Sequence, residues 1–126
     1  MFEGKYGKYC IVDGILFVDY KEDLIFTLKV AKRIVQERMG FQHNKEYPVC
    51  CKLSGRIDSQ SDARHYLAQE GALFIKALAF YVTSPVALRL TEFYIQTLNH
   101  QIPIQVFNDR NQAIQFLKPY SQRRIN

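Results

Sequence analysis

Tyr9-Cys10-Ile11-Val12-Asp13-Gly14-Ile15-Leu16-Phe17-Val18 is the stretch whose reading decides the fold. Two apolar runs flank Asp13-Gly14. Asp-Gly between such runs favours a type I′ turn, because both central positions need φ > 0 and glycine takes it at no steric cost. A β-hairpin over residues 9–20 is expected, closed by Lys21-Glu22-Asp23.

Downstream, helix and strand patterns alternate. Thr27 can cap a first helix, in which Leu28, Ala31, Val35 and Met39 recur on one face. Lys29, Lys32, Arg33 and Arg38 are expected to face water, and Gly40 to end the helix. Tyr47–Leu53 reads as a strand. Ser59-Gln60-Ser61-Asp62 fits a capping box and predicts a helix starting near Ser59, with Ala63, Tyr66, Leu67 and Phe74 on one side and Gly71 near its end. Residues 77–82 are apolar throughout, as in a central strand covered on both faces. Ser84-Pro85 starts a third helix through Val86, Leu90, Phe93 and Leu98, ended by Asn99-His100-Gln101. Residues 102–107 form the last strand, with Pro103 near its beginning. Asn108 or Asp109 then caps a helix that turns Ala113, Ile114 and Leu117 inward. The order is β-β-α-β-α-β-α-β-α: an α/β fold with a mixed five-stranded sheet and helices packed on it.

The 126 residues make one domain over residues 1–118, followed by a short basic tail at 119–126. No apolar run approaches the ~20 residues of a membrane span. The start Met1-Phe2-Glu3-Gly4-Lys5 lacks a signal pattern, so a cytoplasmic location is expected. Cys10, Cys50 and Cys51 are odd in number and form no C-x-x-C. Neighbours in a strand point to opposite faces, so Cys50 and Cys51 read as apolar filler in a reducing compartment. The net charge of +5 is concentrated in the second half and in the tail Lys118–Arg124, without a basic helix face. That is a weak footprint for nucleic acid, which is not expected as a partner.

In an open α/β sheet, ligands and partners meet the chain at the carboxyl ends of the strands. Candidate contact residues are therefore Ser54, Gly55 and Arg56, then Thr83 and Ser84, then Asn108 and Asp109, each group following a strand. Arg56 suits a phosphate or carboxylate. Ser84 has a strong capping role, and no Ser-His-acid constellation is supported by spacing. His43, His65 and His100 are scattered, without H-x-x-x-H or C-x-x-C, so no metal is expected. Neither G-x-G-x-x-G nor G-x-x-x-x-G-K-[ST] is present, so no nucleotide cofactor is expected. Eight Tyr and nine Phe are many for this length. Phe74, Phe80, Phe93 and Tyr94 are expected in the core; surplus aromatics on the hairpin or third helix would suit a homodimer face.

The element order, with 49–53, 77–82 and the closing Val106-Phe107-Asn108-Asp109 followed by Ala113, Phe116 and Leu117, resembles the STAS superfamily. More narrowly it is similar to the small SpoIIAA-like bacterial domains, over roughly residues 5–118. The resemblance implies a protein-binding regulatory domain, bound by a kinase or regulator and switched by phosphorylation. The family's target serine lies in a short Asp-Ser stretch between the third strand and the second helix. Asp58-Ser59 occupies the matching place, and Gln60-Ser61 stands where the family pattern continues to glycine. Ser59 is thus the phosphoacceptor candidate, with Asp58, Ser61, Arg56 and Arg64 around it. A phosphate there would be met by a helix N-terminus and by arginine.

Two functional classes follow. One is a non-enzymatic regulatory domain acting through protein contacts at the strand-end surface. The other is a binder of a small molecule or lipid in the crevice at the same strand ends. Hydrolytic or transferase activity would need a base beside Ser54, Ser59 or Ser84, and no cofactor is expected.

Overall fold

The computed structural model describes residues 1–98 and 101–121. Asn99 and His100, expected at the end of the third helix, lie outside the described residues, as does the tail from residue 122.

The hairpin forms as expected. β2 (Gly7–Val12) and β3 (Ile15–Tyr20) pair antiparallel, with Val12 opposite Ile15 across a turn in which Asp13 and Gly14 have φ of 52° and 78°. A two-residue strand, β1 (Phe2–Glu3), adds to the outer side of β2. On its other side β3 pairs in parallel with β5 (Tyr47–Leu53), which pairs in parallel with β7 (Ile75–Val82), which pairs in parallel with β8 (Ile104–Phe107). Among the described residues the mixed sheet has six strands rather than the five expected, because β1 adds outside the hairpin, in the order β1-β2-β3-β5-β7-β8. A second sheet was not expected: β4 (Ile25–Phe26) and β6 (Asp58–Ser59) form a parallel two-residue pair.

Helices cover both faces. α1 (Leu28–Gln42) and α2 (Ser61–Gln69) bury Ala31, Ile34, Val35 and Ala63 with Phe26. This layer continues into Tyr9, Leu16, Val18, Val49 and Cys51 of the sheet through Tyr20. The opposite face takes α4 (Arg110–Ser121), whose Ala113 and Leu117 pack on Ile15, Cys50, Ala77 and Ala79. The alanines of β7 leave room for the helix to lie close. Cys50 and Cys51 thus face opposite sides of β5, both buried and unpaired. α3 (Pro85–Thr97) runs beside β7 and β8, and its Tyr94 hydroxyl donates to the Arg64 carbonyl of α2.

Local caps behave as their chemistry demands. Thr27 Oγ1 accepts from Val30 N at 3.2 Å, Ser84 Oγ from Ala87 N at 3.3 Å, and Asp109 Oδ1 from Gln112 N at 3.1 Å.

Several expectations are corrected. Gly40 does not end α1, which continues to Gln42 and stops where His43 and Asn44 turn left-handed at φ of 51° and 62°. Arg38 does not face water; it is 4% exposed. Its Nη1 donates to Gln42 Oε1 and to Leu73 O (3.0 Å), and its Nη2 to Gly71 O (3.0 Å). Gln42 Nε2 in turn donates to Lys45 O and Phe74 O at 2.8 and 2.9 Å. The pair satisfies the carbonyls of the turn leading into β7, where Phe74 sits at φ 62°. Burial pushes the Arg38 pKa down, yet these oxygens replace the water it gave up. The second helix starts at Ser61 rather than near Ser59, because Asp58 and Ser59 are drawn into β6. Phe93 is 68% exposed, not core. The final helix runs past residue 118, through Pro119, to Ser121, since Tyr120 packs on the α4 core.

Arg38→Met should lower stability by about 2–4 kcal/mol in urea unfolding, because buried carbonyls lose their donors. Gly40→Ala should raise it by about 0.5–1 kcal/mol: the position is helical and exposed, and a Cβ there meets no atom within 4 Å.

Candidate functional site

Parallel pairing decides where the loops gather. Asp19 lies opposite Lys52, Leu53 opposite Val82, and Tyr81 opposite Phe107. The carboxyl ends of β3, β5, β7 and β8 therefore share one edge of the sheet, and Ser54, Thr83 and Asn108 leave it side by side. At the usual strand spacing, that row spans about 10 Å.

The segments after β3 and β5 are stitched together on this rim. Asp23 N donates to Ser54 O at 3.0 Å, and Arg56 N donates to Asp23 Oδ1 at 2.5 Å. Ile25 and Phe26 then pair with Asp58 and Ser59, and Gln60 N donates to Phe26 O at 3.0 Å. Gly55 makes the bend possible. It sits at φ 75°, and a Cβ there would overlap the Asp23 carboxylate and meet Glu22 Cγ at 2.8 Å.

Ser59 does not cap α2. Gln60 holds the cap position without a side-chain bond, and Asp62 Oδ1 accepts from Ala63 N at 2.8 Å. Ser59 is instead gripped by one arginine: Arg64 Nη1 donates to its Oγ at 3.0 Å and to its carbonyl at 2.6 Å. Both residues are half-buried, while Arg56, Asp58 and Ser61 beside them are exposed. The guanidinium spans the junction between β6 and the first turn of α2.

The rim thus brings Ser54, Gly55, Arg56, Asp58, Ser59, Ser61 and Arg64 into one continuous run. Thr83 and Ser84, then Asn108 and Asp109, stand further along the same edge. Ser84 Oγ and Asp109 Oδ1 are engaged in capping, whereas Thr83 and Asn108 are exposed. Asp23 and β4 belong to this site and were missed, since two-residue strands carry no periodicity. The Glu22-Asp23 turn signal marked a bend, not its partner.

The pit on this rim, lined by Tyr20, Leu24, Phe26, Leu53, Ser54 and Ile57 among others, holds about 10 Å³. That is room for a water at most. An open depression runs between the start of α1 and the length of α2, lined by Leu28, Lys32, Asp62, His65 and Gln69 among others.

Other chemistry is muted. Burial pushes the Cys50 thiol up to about 11 and the Cys51 thiol up to about 12, so both stay protonated and poorly nucleophilic at neutral pH. Among the described residues, no three His, Cys, Asp or Glu side chains gather closely enough to hold a metal. Among those residues, too, no helix is long and apolar enough to cross a membrane.

A family described as "Domain of unknown function (DUF7793)" matches residues 9–121. The chain belongs to that family. The match runs from within β2 to the last residue of α4, so the family takes in the sheet from the hairpin to β8, the β4–β6 clasp and all four helices. No curated protein and no solved structure matches the chain significantly.

Gly55→Ala should cost about 2 kcal/mol, from a left-handed φ and a displaced Asp23. Hydrogen exchange should show the loss first at Arg56 and Gln60, whose N–H groups close the clasp.

Proposed function

We propose that this domain is a STAS-like regulatory module that acts by protein contact at the strand-end rim and is switched by phosphorylation of Ser59. The observation that carries the reading is the 3.0 Å contact between Arg64 Nη1 and Ser59 Oγ on that rim. A guanidinium already aimed at a partly exposed hydroxyl is a ready partner for a phosphate on the same oxygen. In the reaction, Ser59 Oγ bonds to the γ-phosphorus of ATP, the bond to ADP breaks, and the hydroxyl proton passes to the kinase. The modified residue gains nearly two negative charges beside Asp58 and Asp62.

Those charges pull in opposite directions. Arg64 attracts the phosphate, and the two aspartates repel it. The backbone of Ser59 is paired with Phe26, so the strain falls on the β4–β6 clasp, and from there on the exposed surface of Arg56, Ser61 and Gln60. A partner that reads this surface binds one form better than the other, which is all a switch requires. The open depression between α1 and α2 adjoins that surface and suits a protein face better than an enclosed ligand. The setting is the bacterial cytoplasm, where ATP is available to the kinase.

Incubation of the purified chain with ATP and a soluble extract of its host, followed by intact mass and peptide mapping, tests this. One phosphate on Ser59, absent from Ser59→Ala, is the expected result. An unmodified Ser59, or a phosphate placed elsewhere, contradicts it.

A further inference from the structure

α3 turns its small side inward. Ala87 and Thr91 are buried against the body of the protein, with the Thr91 hydroxyl donating to Ala87 O at 2.7 Å. Three of its large apolar residues point outward: Val86 is 68% exposed, Leu90 51% and Phe93 68%. These positions are spaced i, i+4, i+7, so they form one stripe along one side of the helix. Single exposed apolar residues are ordinary, but a contiguous stripe of three large ones marks a contact surface.

The charges beside the stripe say what covers it. Arg89 and Glu92 are exposed and lie on the same flank of the helix, on the side away from Ala87 and Tyr94. We propose that α3 is the contact between two copies of this chain, paired antiparallel about a two-fold axis at Leu90. Reversal about that point sets Leu90 on Leu90. It brings Val86 to within one residue, about 1.5 Å of helix rise, of Phe93 on the other copy. It brings Arg89 equally near Glu92, twice, because a two-fold axis repeats every contact. Rotation about that axis keeps like flanks together, so the Arg–Glu flank of one helix meets the Arg–Glu flank of the other. Parallel pairing would instead turn the Arg–Glu flank toward the opposite flank of the partner helix, which carries neither charge. The surface is thus self-complementary in both apolar pattern and charge, and a second copy supplies both.

Ser59 lies against β4 and α2, and α3 reaches that region through the Tyr94 hydroxyl on the Arg64 carbonyl, which is not part of the stripe. The dimer and the phosphoswitch have separate readouts, sedimentation for one and mass for the other, so the failure of either is distinguishable.

Sedimentation velocity over a range of protein concentrations tests the pairing. The unmodified chain should form dimers as concentration rises. Phe93→Glu should move the midpoint at least about tenfold higher by placing a charge in the apolar seam, with unchanged circular dichroism and, at concentrations below the dimer midpoint, an unchanged melting temperature because the position is exposed in the single copy. Arg89→Glu and Glu92→Arg should each weaken the dimer, and the double swap should restore it. A chain monomeric at every concentration, a dimer indifferent to Phe93→Glu, or a double swap weaker than either single change would each overturn the proposal.

Discussion

Four strands hydrogen-bonded in one direction impose the constraint on which the rest depends. Once β3, β5, β7 and β8 run parallel, the chain must return to the start of the sheet between each strand and the next, and α1, α2 and α3 make those returns. Every return begins at the same edge. The cap residues Thr27, Ser84 and Asp109, and the β4–β6 clasp, are consequences of that one geometry. The rim gathers polar turns because helix starts require them, and it is the edge where an open sheet offers its loops to other molecules.

The two ends of the sheet are built differently. Where β5 and β7 begin, Arg38 and Gln42 occupy buried positions and satisfy the carbonyls of Gly71, Leu73 and Phe74. Among the described residues, no buried side-chain nitrogen or oxygen lacks a hydrogen-bond partner. At the opposite end the polar groups are exposed or half-exposed, held by short backbone contacts and by one arginine. Buried polar groups lie at one end and accessible ones at the other.

Features written in a few neighbouring residues were legible in the sequence. Asp13-Gly14, Thr27, Ser84-Pro85 and Asp109 each act within four positions, and each formed what its local chemistry specifies. Features decided by distant partners were not. Gly40 has the composition of a helix end, yet the helix continues because Arg38 and Gln42 find acceptors more than thirty residues away. Ser59 lies in a capping-box pattern, but Phe26 captures its backbone first and moves the helix start to Ser61. On α3 the period of Val86, Leu90 and Phe93 was readable and its direction was not, because the sheet accepts the Ala87–Thr91 side. At the site, the rim itself followed from strand direction, whereas the Arg64–Ser59 contact and the part played by Asp23 required coordinates.

If Ser59 is the phosphoacceptor, its phosphate meets Arg64 and acts on the rim alone. The most direct measurement is a pair of ¹H–¹⁵N NMR spectra, of the unmodified chain and of the chain carrying phosphoserine incorporated at position 59. Displaced signals are expected for the Arg64 side chain and for the amides of Ile25–Phe26, Arg56 and Ser59–Ser61, with the Ile75–Val82 strand unmoved. An Arg64 side-chain signal that stays in place, or changes spread through the central strands, would contradict it.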